Sequence, residues 1–482
     1  MKNYNELYNT SLFLLTDFYE LTMIQGYFYY NVNTEVVFDL TFRKTPFGSG
    51  FIVFAGLQPL IDIILNFKVN EEDIEYLYSL KVFKKEFLEY LRNFKFTGSI
   101  YSVEEGEIVF PKEPVLRVHA PIVQAQILES IILNIINFQS LIATKTARIV
   151  ECAKGRTILE FGLRRAQGID GAISATRAAF IGGADATSNV LSAKIFGIPA
   201  RGTMAHSWVM SFDSEYEAFE KFAKLYPENV ILLVDTYNTK GGIKNAIKIF
   251  KELKKKGIKN FGVRIDSGDL ETLSKYARKE LNSAGFKEAK IVVSNELDEN
   301  IIEQLINRNA PIDIFGVGTK LITGHPDASL GGVYKIVAKK IGKRILPLIK
   351  ISDTPQKISL PHIKNVVRFF KENKFLFDVV CLENEKLNKY KFFYDIETNF
   401  KVKFVDNDET KQLLKPIVKN GKLVYTFPNL YQIREKTKHN LSLLPDEYKR
   451  LINPHLYKVC ITERLKLMRE NFIKKCQKYL IK

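Results

Sequence analysis

Cysteine is scarce in this chain: there are four in 482 residues, Cys152, Cys381, Cys460 and Cys476, with no CxxC pair and no Cys/His cluster. That scatter excludes a disulfide framework and a zinc site of ordinary ligand spacing, and it suits a reducing cytoplasmic setting. No Gly/Ser-rich or Pro-rich stretch is long enough to serve as a disordered linker. The N-terminus lacks the basic-then-apolar order of a signal peptide, because its apolar run from Leu12 to Leu15 is short and Asp17 follows at once. The longest apolar region, 127–149, is interrupted by Glu129, Asn134, Asn137, Gln139, Lys145 and Arg148, which a bilayer core would penalise, so no membrane span is expected. Two phosphate-binding signatures are also missing, the G-x-x-x-x-G-K-[ST] loop and a G-x-G-x-x-G turn after the first strand. Any phosphate must be held in another way.

What the chain does have is a composition of 46% hydrophobic, 12% aromatic and 26% charged residues, as expected of a globular protein. Its length exceeds what one hydrophobic core usually supports, which predicts two domains. A formal charge of +17 invites a polyanionic partner: nucleic acid, a membrane surface or a phosphorylated small molecule. The basic run Lys254, Lys255 and Lys256 sits where a helix is predicted to end, a favourable place for cations. No RNA-binding signature accompanies it. The charge is therefore read as a solvated face that helps to draw in a phosphate-bearing substrate, with no nucleic acid and no membrane as partner. A basic nucleic-acid-binding protein is the alternative of another class, and it predicts strong, salt-steep binding.

Along the chain, a strand at 36–40 runs into the basic, Gly-rich loop 43–50, and short β segments at 98–118 suggest a β-rich subdomain. A long helical pattern covers 121–153. From Arg156 strands alternate with helices: strands at 157–160, 230–235, 262–266, 291–295 and 312–318, with helices at 242–256, 270–284 and 299–307 between the last four. Near-continuous apolar strands, each joined by one helix, predict a parallel sheet buried on both faces. The expected fold is α/β: an irregular α/β barrel over 141–339, and an N-terminal β-rich α/β domain over 1–140 that 340–482 completes by folding back.

The polar residues of these units gather at one edge. Asp235, then Arg264 and Asp266, then Ser294 and Asn295, then Gly316 and Gly318 all fall at strand C-terminal ends, where ligands bind in barrels and open α/β sheets. Each alone has an ordinary explanation, since Asp and Asn cap helices and Gly ends strands. Gly-rich turns at 316–319 and 329–332 offer amides to an anion. Arg164 and Arg165 follow a strand, and the small, hydroxyl-rich turn 182–189 opens a helix. His206, at an apparent strand end beside the single tryptophan, could be a base, a phosphate ligand or a nitrogen nucleophile. An isomerase or aldolase barrel would also explain the strand-end acids, but no Schiff-base lysine or clear acid/base pair stands at a strand end.

These segments together resemble the nicotinate phosphoribosyltransferases, within the type II phosphoribosyltransferases. The resemblance rests on Leu14-Leu-Thr-Asp-Phe-Tyr19-Glu-Leu-Thr-Met, Phe42-Arg-Lys-Thr-Pro-Phe-Gly, Glu160-Phe-Gly-Leu-Arg-Arg-Ala-Gln-Gly, Gly202-Thr-Met-Ala-His-Ser, Val234-Asp-Thr-Tyr, Gly262-Val-Arg-Ile-Asp-Ser-Gly-Asp-Leu, Ile291-Val-Val-Ser-Asn, Ser329-Leu-Gly-Gly-Val-Tyr-Lys and Thr462-Glu-Arg-Leu. It implies that nicotinate displaces pyrophosphate from phosphoribosyl pyrophosphate (PRPP) with Mg2+ present, and that ATP hydrolysis is coupled through a transiently phosphorylated His206. The product, nicotinate mononucleotide, begins NAD salvage. Acceptance of nicotinamide or quinolinate instead is the near alternative.

By the same resemblance His206, Arg264, Asp235 and Asp266 would be catalytic. Tyr19, Phe161, Arg164, Asp185 and Ser188 would hold nicotinate, Tyr19 from the neighbouring subunit of a homodimer. Arg43, Arg165, Thr203, Gly316, Gly318, Thr319, Gly331 and Gly332 would hold PRPP and its phosphates. Leu163 and Ser49 depart from the family's usual residues in the loops that they occupy.

Overall fold

The computed structural model describes residues 12–31, 34–351, 358–403 and 409–480. The chain divides into two compact units, one of Met1–Ser140, Ser329–Asn429 and His439–Lys482, the other of Leu141–Ala328 and Leu430–Lys438. The irregular α/β barrel and the β-rich companion domain expected from the sequence are both present, with two changes at their borders. Residues 329–339 leave the barrel because the strand Gly332–Ile341 pairs antiparallel with Glu35–Phe42 in the first unit. Residues 430–438 join the barrel unit instead, where Arg434 meets Asp185 at 2.6 Å.

The first unit is built on a seven-stranded sheet and a six-stranded one. Within the seven-stranded sheet, Glu35–Phe42 lies between Gly332–Ile341 and Pro114–Pro121, antiparallel to both. Its near-continuous burial explains the apolar run Val36, Val37, Phe38 and Leu40. The six-stranded sheet carries the hairpin Lys364–Lys371 and Lys374–Leu382. Glu372 and Asn373 turn it with φ of 51° and 58°, the left-handed conformations that match strand twist in a two-residue turn. The same sheet takes in the short buried strand Val459–Ile461, which the helix Glu463–Leu480 follows.

The barrel unit holds six parallel strands: β1 (Thr157–Glu160), β2 (Ala186–Thr187), β3 (Val230–Leu233), β4 (Phe261–Ile265), β5 (Lys290–Ser294) and β6 (Ile314–Val317). They run in the order β2-β1-β6-β5-β4-β3, a curled half-barrel in which β2 and β3 are the edges. The connecting helices start where side chains satisfy their free amides. Asn238 caps Thr239–Lys255 at Gly241, Asp269 caps Leu270–Ser283 at Thr272, and Asp298 caps Glu299–Asn307 at Ile301. Gly242 lets the first of these helices lie against β3, since a Cβ there would stand 2.1 Å from the Val234 carbonyl.

The long helical pattern of the sequence breaks into Ile122–Gln126 and Glu129–Ala153. This stretch is long and apolar enough to cross a membrane by length and composition alone, yet most of it is buried inside the protein, as a core helix is. Its polar residues have partners within the protein: Lys145 and Arg148 both bond to Glu299.

Candidate functional site

The parallel sheet brings its polar strand ends together. Arg264, on β4, donates from Nε to Ser294 at 2.9 Å, from Nη1 to Thr203 at 3.3 Å and from Nη2 to Asp266 at 3.1 Å. Ser294, which ends β5, also donates to Asp266. Asp266 donates its backbone amide to Asp235 at 2.9 Å, and Ser267 donates its hydroxyl to the same carboxylate oxygen at 2.6 Å. Adjacent parallel strands in register cause this: Leu233 pairs with Arg264, and Val292 with Arg264 on the other side.

His206 does not end a strand. It opens the short helix His206–Met210, which Trp208 ties down by donating Nε1 to the Ala218 carbonyl at 3.0 Å. The imidazole Nδ1 lies 3.2 Å from the Thr236 hydroxyl and Nε2 lies 3.8 Å from Asp266, with the side chain 41% exposed. One ring nitrogen is thus oriented and the other faces an acid, while the ring stays open to a reacting group. Thr236 stands in the segment Val234-Asp-Thr-Tyr, directly after Asp235, and the sequence alone assigns it no role.

Phe161 follows β1 and is fixed from several sides. Its amide donates to Val317 at 2.8 Å, the Arg264 guanidinium lies 5.6 Å from its ring centre, and Gly316 leaves room for the ring, since a Cβ there would be 2.6 Å from it. Gly316 lies within β6, and its missing side chain admits the Phe161 ring. Gly318 is the residue before Thr319–Ile322, a single helical turn. Glu160, also missed, accepts from Gly162 N, from Thr187 at 2.6 Å and from Thr176 at 3.1 Å; burial raises its pKa. It pins the turn that carries Phe161.

Other expected residues are placed differently. Asp185 lines the same cavity as Phe161 and Arg264; its carboxylate accepts from the Ile158 amide at 2.8 Å and pairs with Arg434 at 2.6 Å. Ser188 is half-buried and donates its amide to Glu160 at 3.0 Å. Arg164 and Arg165 lie on the exposed turn Leu163–Arg165, with no ion-pair partner among the described residues. Tyr19, Arg43, Gly331 and Gly332 belong to the other unit. There Arg43 donates its amide to Gly331 at 3.1 Å, and Gly332 gives its own to Asn137 at 3.0 Å, so the Gly332 amide is already used. Tyr19 is 48% exposed, its phenol pushed up to about 12 by burial of the hydroxyl and by nearby Glu129.

A cavity of about 290 Å³ opens inside the half-barrel. Phe161, Arg264, Thr203, Asp185 and Arg201 line it above the apolar faces of Leu159, Ile231, Val292 and Ile314. An apolar slot with a few converging polar groups suits a small planar ligand. Among the described residues no group of three or more His, Cys, Asp or Glu could grip a metal ion. Asp235 keeps one carboxylate oxygen buried and without a hydrogen-bond partner among them, close to Asp266. Asp266 spends one carboxylate oxygen on Arg264 and Ser294, and the unpartnered oxygen of Asp235 beside it fits Mg2+, which takes few protein ligands and completes its shell with water and substrate phosphates.

Comparison with known proteins agrees with this geometry. Residues 14–137, 157–398 and 363–469 match, in turn, the nicotinate phosphoribosyltransferase N-terminal domain, the nicotinate phosphoribosyltransferase family and its C-terminal domain. The chain is 44% identical over 460 residues to nicotinate phosphoribosyltransferase of Bacillus subtilis, covering 94% of this chain and 93% of that protein. It is 30% identical to the Homo sapiens enzyme of that name, covering 94% and 95%. The crystal structure of human nicotinic acid phosphoribosyltransferase superimposes with a TM-score of 0.82 at 28% identity, over 95% of this chain and 100% of that one. A nicotinate-nucleotide pyrophosphorylase from Pyrococcus furiosus gives 0.70 at 26% identity, over 92% and 97%.

Proposed function

The chain belongs to the nicotinate phosphoribosyltransferase family and is an enzyme of NAD biosynthesis, and from that premise we propose how its residues carry out the reaction. Nicotinate lies on the face of Phe161 with its ring nitrogen aimed at C1 of PRPP. The new bond runs from that nitrogen to C1, and the bond from C1 to the pyrophosphate oxygen breaks, with the electron pair leaving on pyrophosphate. Positive charge grows on the ribose as negative charge grows on the leaving group, so the site must present fixed groups of both signs before the reaction begins.

Asp235 and Asp266 supply the negative groups beside the ribose and would hold Mg2+, which would supply positive charge to offset that of the departing pyrophosphate. Arg264, held by Ser294 and Asp266, supplies a fixed cation. Arg43, Arg165, Thr203, Gly318, Thr319 and Gly331 offer contacts to the phosphates. Tyr19 of a second copy covers the other face of the pyridine in a homodimer working in the cytoplasm.

His206 couples the reaction to ATP. A ring nitrogen attacks the terminal phosphorus of ATP, ADP leaves, and the phosphohistidine is hydrolysed to phosphate in each cycle. The observation that carries this reading is the open imidazole, oriented by Thr236 and placed beside Asp266 at the rim where Arg264 and Asp235 converge.

The test is PRPP-dependent mononucleotide formation from nicotinate, nicotinamide and quinolinate in parallel, with and without ATP, in wild type and His206→Ala. The expected outcome is product from nicotinate, raised by ATP in the wild type only, with acid-labile 32P on the wild-type chain from γ-labelled ATP. ATP stimulation that survives in His206→Ala would remove the phosphohistidine from the mechanism, and preferential turnover of nicotinamide would change the substrate.

A further inference from the structure

We infer that Arg201 is a specificity-determining residue, the cation that receives the carboxylate of a pyridine acid stacked on Phe161. This rests on nicotinate as the substrate. Arg201 directly precedes the segment Gly202-Thr-Met-Ala-His-Ser.

The cavity contains two guanidinium groups and one carboxylate, and their bonding separates them. Arg264 is held by Ser294, Thr203 and the Met204 carbonyl, and its charge is paired with Asp266. Asp185 is paired with Arg434 at 2.6 Å. Arg201 also lines the cavity, and its guanidinium bonds only to the carbonyl of its own neighbour, Ala200, at 3.0 Å. It is the positive charge of the cavity with no acid to answer it among the described residues.

The backbone of Arg201 is fixed. Ala200 forms a parallel bridge with Thr187 at the edge of the sheet, and the Arg201 amide donates to the Thr187 carbonyl at 2.9 Å. Pro199, two residues earlier and so on the same side of an extended chain, lines the cavity too. Thr187 in turn bonds to Glu160, which pins the Phe161 turn, so one set of bonds ties the ring platform and the cation together. Arg164, the other candidate for the carboxylate, is exposed as Arg201 is, but it does not line the cavity. A planar acid on Phe161 needs a fork of donors at its edge, and a guanidinium supplies one that an amide substrate cannot match in charge.

The experiment is calorimetric titration of the full chain with nicotinate, nicotinamide and quinolinate, in wild type, Arg201→Gln and Arg201→Lys, with KM for PRPP measured alongside. Arg201→Gln is expected to weaken nicotinate about tenfold or more while nicotinamide and PRPP stay within about twofold, and Arg201→Lys to recover part of the loss. Unchanged nicotinate binding in Arg201→Gln would overturn the inference. So would equal weakening of acid, amide and PRPP, since that marks a structural role. A wild type that binds quinolinate rather than nicotinate, with that binding lost in Arg201→Gln, would keep the role of Arg201 and sink the substrate reading instead.

Discussion

A Cβ at Gly316 would stand 2.6 Å from the Phe161 ring, whereas one at Gly331 would meet nothing within 4 Å. The two glycines are therefore predicted to respond differently to alanine. Gly316→Ala must push the ring from its place, which raises KM for nicotinate at least several-fold and leaves KM for PRPP nearly unchanged. Gly331→Ala adds a methyl group to open space and is expected to disturb only PRPP, through the close approach of phosphate to the backbone. Steady-state kinetics with each substrate varied in turn separate the cases, and a silent Gly316→Ala would mean that the Phe161 platform is not where nicotinate binds. The same pair shows what the sequence could reveal at this scale. Asp235, Arg264 and Asp266 were legible because a strand-end position follows from periodicity. Glu160, Thr236, Arg201 and Arg434 were not, because their importance lies in hydrogen-bond partners that are remote in the chain; Arg434 meets Asp185 across 249 positions.

Among the elements, the connection between β5 and the helix Glu299–Asn307 links the reacting groups to the core. At its start Ser294 holds Arg264, and then Asn295 and Glu296 both adopt positive φ, 81° and 38°, a costly conformation outside glycine. At its end Asp298 caps the helix and pairs with Lys320 at 2.8 Å, in the turn after Gly318. Glu299 pairs with Lys145 and, at 3.1 Å, with Arg148, its side chain only 2% exposed. Removing the acid leaves two buried cations without their carboxylate, so Glu299→Ala should cost roughly 3 to 5 kcal/mol. Urea unfolding measures this, and a loss under about 1 kcal/mol would mean that water reaches the cluster. The alternation of strand and helix in this unit was legible to within a few residues, since burial on both faces writes itself as apolar runs. The borders at 329–339 and 430–438 were not, because an antiparallel pairing decides the first and contacts of Tyr431 and Arg434 with Phe180, Gly183, Asp185 and Gly197 decide the second, and neither leaves a local pattern.

At the scale of the whole molecule, the formal charge of +17 must act through long-range fields. Specific contacts at the site are short and partly desolvated, and salt screens them weakly. The field of surface lysines reaches only about 10 Å at 0.1 M salt and shrinks further as salt is added. Steering changes how often substrate arrives, not how fast it reacts once bound. The three substrates differ in the charge on which such a field can pull: PRPP carries several negative charges, nicotinate one and nicotinamide none. If the surface charge serves capture, kcat/KM for PRPP should fall several-fold between about 0.05 and 0.5 M salt while kcat at saturation stays level, and the fall for nicotinate should be smaller. A salt-independent kcat/KM for PRPP would mean that the lysines are only a solvated face. A nucleic-acid-binding protein of the same charge would instead lose nucleic-acid affinity as a steep power of salt in filter binding, and that behaviour belongs to backbone phosphates spaced along a polymer, for which the half-barrel cavity between Phe161 and Arg201 offers no track.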